Sequence, residues 1–334
     1  MTPVLEIEPV DAETFERDVR PLFRPIVMRG IASDWPIVLA GKQDAEDALS
    51  QIERFDNGTP TEVMIAPQKE CGKFFYSGDM RGFNFRRETL TLSSLAAHLR
   101  EIKDHTNPIG IYAGATATST HLPGFDEHNR LPLVAEMQAI ARIWLGNATR
   151  VATHFDLSDN IAVVATGKRR FTLFPPEATG DLYVGPLNVT LAGQPVSMVD
   201  PVEPEHLRYP RFAKAQESMQ VADLEPGDAI YIPTLWWHHV AASEPISVLV
   251  NYWHNDAQRG GGFLALVHAM LAIRDQPLAQ KKAWRAWFDH MVFGEDAAKA
   301  ADHLPAHAQG VNGPASPQRD EQIRRFILQV LSQE

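Results

Sequence analysis

The amino-acid sequence predicts a mainly β protein, in which a two-sheet barrel or jelly roll lies between a mixed α/β region and a helical region. The barrel is predicted because short apolar runs between positions 108 and 253 are separated by Gly, Pro, Asn and Asp, which favour turns. The helical region is predicted because apolar residues after position 253 recur at helical spacing. These changes of pattern divide the 334 residues into regions 1–108, 109–258 and 259–334.

The N-terminal region, residues 1–108, alternates helical and strand patterns. Asp11 is placed to cap a short helix that carries Phe15 and Val19 on one face, because an aspartate side chain accepts hydrogen bonds from the first helical turn. Gly30 closes the first strand. The remaining patterns predict helices at 44–54 and 93–103 and strands at 26–28, 62–66 and 73–76.

The central region, residues 109–258, carries the barrel strands. Apolar runs predict strands at 109–112, 143–145, 161–165, 171–174, 229–232 and 247–252. The segment 177–220 interrupts them and is rich in proline and charge. A loop of this length within a compact domain is usually functional, and a solvated surface excursion is the alternative interpretation.

The C-terminal region, residues 259–334, has the period of amphipathic helices. A helix is predicted at 260–273, and the segment 294–318, which contains three prolines, reads as a linker. Two apolar stripes at helical spacing are formed by Trp284, Trp287, Phe288, Met291 and Val292, and by Ile323, Phe326, Ile327, Val330 and Leu331. Each stripe is expected to bury against the protein's own core or against a second chain.

Composition and charge exclude several classes of function. The net charge of −11 works against a nucleic-acid or anionic-membrane surface, because both need clustered Lys and Arg. Cys71 is the only cysteine, which excludes an intrachain disulfide and fits a reducing compartment. The N-terminus lacks a signal-peptide pattern. The longest apolar stretch, 262–273, is shorter than the ~20 residues of a membrane-spanning helix. We therefore expect a cytoplasmic protein without a membrane partner.

Two separated motifs carry the candidate chemistry. On an extended strand, His154 and Asp156 project from the same face, with α-carbons only ~6.6 Å apart. Further along, a turn and a strand at 227–233 lead to His238 and His239. Two imidazoles and one carboxylate on one side of a metal leave the opposite positions open, as in non-haem Fe(II) oxygenases. Because adjacent strand residues face opposite ways, only one of His238 and His239 is expected to complete this set.

These motifs carry a resemblance to a known family. The runs HFDLSDNIAVVATGKRRFTLFPPE, PGDAIYIPTLWWHHV and LVNYW resemble the cupin-like jumonji-C oxygenases, and within them the group that contains the asparaginyl hydroxylase of hypoxia-inducible factor. The resemblance implies a double-stranded β-helix core, bound Fe(II), and 2-oxoglutarate as co-substrate. It implies His154, Asp156 and His238 as the metal ligands and catalytic centre, and gives His239 a supporting or structural role. The implied reaction hydroxylates an unactivated C–H bond and releases succinate and carbon dioxide.

The resemblance also implies where 2-oxoglutarate is anchored. The family usually places a lysine two residues beyond the glycine of the second strand, and here Gly167 is followed at that position by Arg169. Strand alternation puts Arg169 on the inner face and Lys168 on the other. An arginine holds a carboxylate through two parallel hydrogen bonds, a geometry that lysine lacks.

Other co-substrate contacts are implied by position. Tyr112, Asn160 and Asn251 match family positions that supply further polar contacts, and Trp253 shares a strand face with Asn251 and walls the pocket. Val151 stands where relatives often have threonine, so the sequence departs from the family at that contact.

The sequence leaves the substrate class open. Similar enzymes use protein side chains, tRNA bases and small metabolites, and the acidic balance disfavours tRNA, so we expect a protein or small-molecule substrate. Relatives dimerise through C-terminal helices, which implies a homodimer. Two other interpretations stay in view: a cupin enzyme with a different reaction, and a non-catalytic metal-binding cupin module. The first commonly has a third histidine beside the acid, which is absent here, and the intact ligand set argues against the second.

Overall fold

The fold was taken from a computed structural model that describes residues 1–137, 139–254 and 261–332. The chain divides into two compact units, Met1–Asn255 and Asp256–Glu334. The predicted boundary between positions 258 and 259 lies outside the described residues. None of the described helices combines the length and the apolar character that crossing a lipid bilayer requires.

The larger unit is built on two β-sheets. Its described strands are β1 Thr2–Pro3, β2 Leu5–Ile7, β3 Ile26–Met28, β4 Thr61–Ala66, β5 Lys73–Phe74, β6 Arg86–Leu90, β7 Gly110–Ala117, β8 Ile140–Gly146, β9 Arg150–His154, β10 Asp159–Thr166, β11 Arg169–Phe174, β12 Gln220–Leu224, β13 Ala229–Ile232, β14 Trp237–Ala242 and β15 Ser247–His254. Six of these form one sheet in the order β1-β12-β11-β14-β9-β5, and nine form the other in the order β2-β3-β13-β10-β15-β8-β7-β4-β6. Strands from both predicted regions 1–108 and 109–258 therefore share the larger sheet.

Helices flank these sheets. In the larger unit, the described α-helices are α1 Ala12–Thr14, α2 Pro36–Gln43, α3 Ala45–Phe55, α4 Leu92–Ile102, α5 Thr118–His121, α6 Phe125–His128 and α7 Phe212–Glu217. Asp11 caps α1, and its side chain accepts a hydrogen bond from Thr14 N. The prediction of a mainly β, jelly-roll core with flanking helices is confirmed.

Strand alternation divides the core into two layers. On β10, Ile161 and Val163 pack into a core shared with helices α2, α3 and α4. Their neighbours Ala162 and Val164 face the other way, into a core between the two sheets with residues such as Phe171. Because side chains alternate, every second residue of a central strand points into the barrel interior. The candidate site is built on that interior face.

The structure differs from the predicted elements at several places. The strand that was expected to carry both His154 and Asp156 ends at His154. Helix α2 was not predicted, because it is short and begins at Pro36. Strands β6 and β12 were not predicted either, since β6 is almost entirely exposed and β12 has no continuous apolar run.

The smaller unit is helical in its described part. It contains α8 Gly262–Ala272, α9 Leu278–Phe288, α10 Ala306–Gln309 and α11 Pro317–Leu331. The apolar stripes on α9 and α11 are largely exposed in this single chain, with Trp287 at 63% and Phe326 at 65%. Exposure on this scale is unusual for aromatic side chains in a folded monomer.

Candidate metal centre and adjoining cavity

Three side chains from two segments of the chain meet inside the barrel. His154 ends β9, Asp156 follows two residues later, and His238 is the second residue of β14, where it pairs directly with His154 across the sheet. One possible ligand atom from each side chain lies within 4.8 Å of the others. His238 Nε2 and Asp156 Oδ2 are 3.6 Å apart. The arrangement has the donor set and the spacing that a divalent metal ion needs.

Backbone hydrogen bonds orient both imidazoles. His154 Nδ1 lies 2.8 Å from the carbonyl oxygen of Ala152, and His238 Nδ1 lies 3.0 Å from that of Trp236. A carbonyl oxygen can only accept, so each Nδ1 carries a proton, and the tautomer that this selects for a neutral imidazole has its lone pair on Nε2. Both lone pairs are thus available to a metal, which is the usual supporting arrangement for a metal-bound histidine.

The carboxylate of Asp156 is held from several directions. Its Oδ2 accepts hydrogen bonds from Asn160 Nδ2 and from the indole Nε1 of Trp253, each at 3.1 Å. Its backbone carbonyl accepts a hydrogen bond from Leu235 N at 2.9 Å. Asp156 therefore keeps a defined position although it lies beyond the end of the strand.

Burial lowers the pKa of two histidines in this part of the barrel, His238 and His239. Burial, together with the neighbouring His154, lowers the pKa of His238 to about 4, so His238 is neutral at neutral pH. A neutral imidazole is the form that binds a metal. His239 is also buried, which lowers its pKa to about 4, but it does not join the cluster.

A cavity of about 510 Å³ opens beside His154 and Asp156. Its walls include Phe74, Phe85, Tyr112, Trp144 and Trp253, and residues 190–196 of the long loop form another side. Arg87 and Glu62 lie in its lining, where Arg87 Nε donates to Glu62 Oε1 at 3.0 Å. Apart from this charged pair, aromatic and other apolar side chains form most of the walls, as in most binding sites for organic molecules.

A smaller cavity of about 50 Å³ continues inward from the three metal-binding candidates. Its lining includes Asn160, Asn251 and Arg169. Arg169 Nε donates to Ser247 Oγ at 3.2 Å, and no carboxylate of the described residues lies within ion-pair distance of its guanidinium. Burial lowers the pKa of Arg169 to about 10. A half-buried cation without a counter-ion is a place where an anionic group would be bound favourably.

The flanking cations point elsewhere. Lys168 is exposed and pairs with Glu225 at 3.1 Å, and Arg170 is exposed and pairs with Asp223 at 2.7 Å. The structure thus brings together His154, Asp156, His238, Asn160, Asn251, Trp253 and Arg169 around one space, and places Tyr112 on the wall of the larger cavity.

Sequence reasoning missed Trp144, Ser247 and the pair of Glu62 and Arg87. Trp144 alternates with Ile143 and Leu145, which face the helix-covered core, so its inward direction could have been predicted from that alternation. The other three depend on which strands are neighbours, and no local pattern signals them.

Comparison with known proteins places the chain among cupin-like domains. The family model of the cupin-like domain matches residues 12–260. The chain is 27% identical over 266 residues to tRNA wybutosine-synthesizing protein 5 of Danio rerio, covering 74% of this chain and 73% of the relative. It is 26% identical over 275 residues to lysine-specific demethylase JMJ31 of Arabidopsis thaliana, covering 72% of this chain and 48% of the relative.

A third relative is matched over a shorter stretch. HSPB1-associated protein 1 of Homo sapiens is 33% identical over 114 residues, which are 33% of this chain and 22% of the relative. The match thus spans less than a quarter of that relative and about half of the demethylase.

Proposed function

The chain belongs to the cupin-like domain family, and from this membership we propose that it is an Fe(II)- and 2-oxoglutarate-dependent oxygenase. The observation that carries the proposal is the meeting of His154, Asp156 and His238 at a cavity whose inner end holds a cation, Arg169, with no carboxylate partner in the described part of the chain. The metal ligands account for the iron, and the cation accounts for the distal carboxylate of 2-oxoglutarate. A cupin enzyme that catalyses a different reaction does not need a cation such as Arg169 at the inner end of the cavity.

His154 Nε2, His238 Nε2 and the Asp156 carboxylate would hold Fe(II) on one side and leave positions open toward the cavity. When bound, Fe(II) with 2-oxoglutarate and dioxygen supplies the oxidising chemistry that hydroxylates an unactivated C–H bond, with release of succinate and carbon dioxide. The protein's own contribution is to bind, orient and exclude water.

Each residue around the site has a role in that contribution. Arg169 binds the distal carboxylate, and Asn160, Asn251 and Tyr112 offer polar atoms along the co-substrate. Trp253 holds Asp156 through its indole N–H and walls the pocket. The aromatic walls of the larger cavity keep water from the reacting positions, which strengthens the electrostatic interactions inside.

For the substrate, we propose a side chain of another protein, with a small molecule as the alternative. One relative is named for wybutosine synthesis in tRNA and another for lysine demethylation. The net charge of −11 disfavours tRNA, because phosphates are normally bound by clustered cations. The same charge favours a neutral or cationic protein segment. The single cysteine fits a cytoplasmic location, which we propose as well.

We also propose that the chain forms a homodimer through its C-terminal helices. The exposed stripes on α9 and α11 are self-complementary candidates, because both are apolar and aromatic. Burial of such surfaces against a second copy removes apolar area from water, at roughly 25 cal/mol per Å².

The test of the proposed activity is succinate release. The anaerobically purified chain is supplied with Fe(II), 2-oxoglutarate and oxygen, and succinate is measured by NMR. We expect release that needs both additions, is lost in His238→Ala and persists in Lys168→Ala. Metal binding without succinate, even with candidate substrates, would favour the non-catalytic module, and another product would favour a different cupin reaction. Mass spectrometry of partners recovered with the inactive, metal-substituted protein would identify the substrate.

A further inference from the structure

A chain of hydrogen bonds runs from Trp144 to the carboxylate of the metal site. The indole Nε1 of Trp144 donates to Asn251 Oδ1 at 2.9 Å. Asn251 Nδ2 donates to Asn160 Oδ1 at 3.1 Å, and Asn160 Nδ2 donates to Asp156 Oδ2 at 3.1 Å. These residues come from three neighbouring strands, β8, β15 and β10, and their side chains share the barrel-interior face.

The donors and acceptors of this hydrogen-bond network can be arranged in only one direction, from Trp144 to Asp156. An indole N–H can only donate, and an ionised carboxylate can only accept, whereas a carboxamide presents an acceptor at one end and a donor at the other. With Trp144 as the donor, Asn251 has to turn its oxygen toward the indole and its nitrogen toward Asn160. Asn160 is then forced to accept from Asn251 and to donate to Asp156.

Burial makes this direction matter. Asn160 and Asn251 are 6% and 1% exposed, so bulk solvent does not reach an amide that turns the wrong way. An unsatisfied buried polar atom is destabilising, because the desolvation of that atom is not offset by a partner. Without the indole N–H, Asn251 Oδ1 loses its donor, and the carboxylate of Asp156 is left as the one end of the network that still selects this direction.

The surroundings of Trp144 hold its ring in this role. A Cβ added at Gly114 would lie 2.5 Å from Trp144 Cζ3, so the glycine leaves the space that the indole occupies. The ring of Tyr112 also lies beside the indole, with ring centroids 6.3 Å apart and an interplanar angle of 21°. Gly114 lies in a β-bulge, where β7 places one more residue between Ala113 and Thr116 than β8 places opposite them.

We infer that Trp144 is a positioning residue for the metal centre: its indole N–H, together with the acceptor-only carboxylate of Asp156, fixes the orientation of two carboxamides and so holds a hydrogen-bond donor against Asp156. The inference rests on the proposed metal site. It assigns to Trp144 a role beyond that of a cavity wall, and it assigns to Asn160 and Asn251 a task in the apo protein, before any co-substrate binds.

The test measures Co(II) binding to the metal-free protein in the absence of 2-oxoglutarate, through the visible ligand-field spectrum. Trp144→Phe removes the N–H and keeps an aromatic ring. Partners that support metal ligands typically contribute about 10- to 100-fold to metal affinity. We expect Asn160→Ala to weaken Co(II) binding within that range. Trp144→Phe, one step further from the ligand, is expected to weaken it by roughly threefold to tenfold, the effect of one neutral hydrogen bond, and to alter the spectrum.

The double variant separates positioning from general damage. If Trp144 acts through Asn160, Trp144→Phe should have no further effect on Co(II) affinity in the Asn160→Ala background. Trp35→Phe is the matched control, because Trp35 is also a buried indole whose Nε1 donates, at 2.8 Å, to a backbone oxygen, that of Arg130. It should leave the Co(II) affinity and spectrum unchanged. Asn251→Ala interrupts the same hydrogen-bond network, and its Co(II) affinity tests the inference if Trp144→Phe does not fold.

Three outcomes would overturn the inference. The first is that Trp144→Phe, Trp35→Phe and the wild-type protein bind Co(II) with equal affinity. The second is that the losses of Co(II) affinity add up in the double variant. The third is that Asn251→Ala binds Co(II) as tightly as the wild-type protein. Failure of the wild-type chain to bind Co(II) at all would instead overturn the proposed function, and the inference with it.

Discussion

His238 Nε2 lies 3.6 Å from Asp156 Oδ2, too far apart for a hydrogen bond and close enough for both atoms to bind one metal ion. The two atoms come from segments far apart in the chain and are brought together by the pairing of β14 with β9. Asn160 and Trp253 already donate to the same carboxylate oxygen. The site is therefore organised before a metal arrives.

The first prediction concerns the identity of the third ligand. His238→Ala should abolish stoichiometric iron binding, because the remaining pair leaves the metal with two protein ligands. His239→Ala should keep it, since His239 lies outside the cluster. Iron content after anaerobic reconstitution, measured by mass spectrometry, distinguishes the two variants. The reverse pattern would show that the wrong histidine has been assigned.

The second prediction concerns the co-substrate anchor. Removing one partner of a buried charge pair costs roughly 2 to 5 kcal/mol, so Arg169→Ala should weaken 2-oxoglutarate binding by about 30-fold to several thousandfold. Lys168→Ala is the control and should be nearly silent, because Lys168 is exposed and pairs with Glu225. Calorimetric titration with 2-oxoglutarate in the presence of Mn(II) measures both. If neither substitution changes the affinity for 2-oxoglutarate, then 2-oxoglutarate is not the co-substrate.

The third prediction concerns the glycine beneath Trp144. Gly114→Ala should destabilise the fold by about 1 to 3 kcal/mol, the usual range for overpacking, because the new methyl group meets the indole ring. Gly78→Ala is the matched control, since nothing lies within 4 Å of a Cβ added there. Urea unfolding monitored by tryptophan fluorescence gives both values. Equal stability of the two variants would contradict the close approach.

The fourth prediction concerns assembly. Trp287→Glu and Phe326→Glu should convert a dimer to a monomer, because a charge in an apolar interface has no partner and stays hydrated only in the monomer. Leu207→Glu serves as the control, since Leu207 is a fully exposed apolar residue of the larger unit. Light scattering coupled to size exclusion gives the masses. A wild-type chain that is monomeric at high concentration would remove the dimer proposal.

The fifth prediction concerns pH and Asp126. Burial raises the pKa of this carboxyl, although Thr118 Oγ1 donates to Oδ2 at 2.8 Å, and Oδ1 has no partner among the described residues. A raised pKa means that the folded state binds a proton more tightly than the unfolded state. This group's contribution therefore becomes less favourable as pH rises from the unfolded pKa through the folded one.

Asp126→Asn should remove that dependence. The variant should gain stability relative to the wild-type protein as pH rises through the folded pKa, and the gap should close below the ordinary pKa of aspartate. Thermal unfolding between acidic and neutral pH measures the gap. A gap that widens toward acidic pH would contradict the sign.

The sequence contained enough to predict the central strands, because their apolar runs are bounded by turn residues. Val163 and Ile230, for example, lie on strands that are buried on both faces. The edge strand Arg86–Leu90 carries almost no buried residue, so its pattern resembles a loop. Edge strands are held by backbone pairing with one neighbour, and that pairing leaves little trace in composition.

The parts of the site that depend on residues close together in the sequence could be predicted. The spacing of His154 and Asp156 and the alternation around Arg169 are read within a few residues. The chain from Trp144 to Asp156 was not predictable, because it depends on the register of three strands that are separated in sequence. Asn251 lies opposite Arg142 on β8 and opposite Ala162 on β10, and only that register brings Trp144 and Asn160 to its two ends.

The presence of arginine at position 169 has a consequence for the conditions under which the site works. Burial lowers the pKa of Arg169 to about 10, which still leaves it charged at every physiological pH. A lysine starts from ~10.4, so the same surroundings would bring its pKa down toward neutrality and make the anchor a titrating group. If Arg169 binds 2-oxoglutarate as proposed, its charge would stay constant across the physiological pH range, and a change in pH would not weaken that contact.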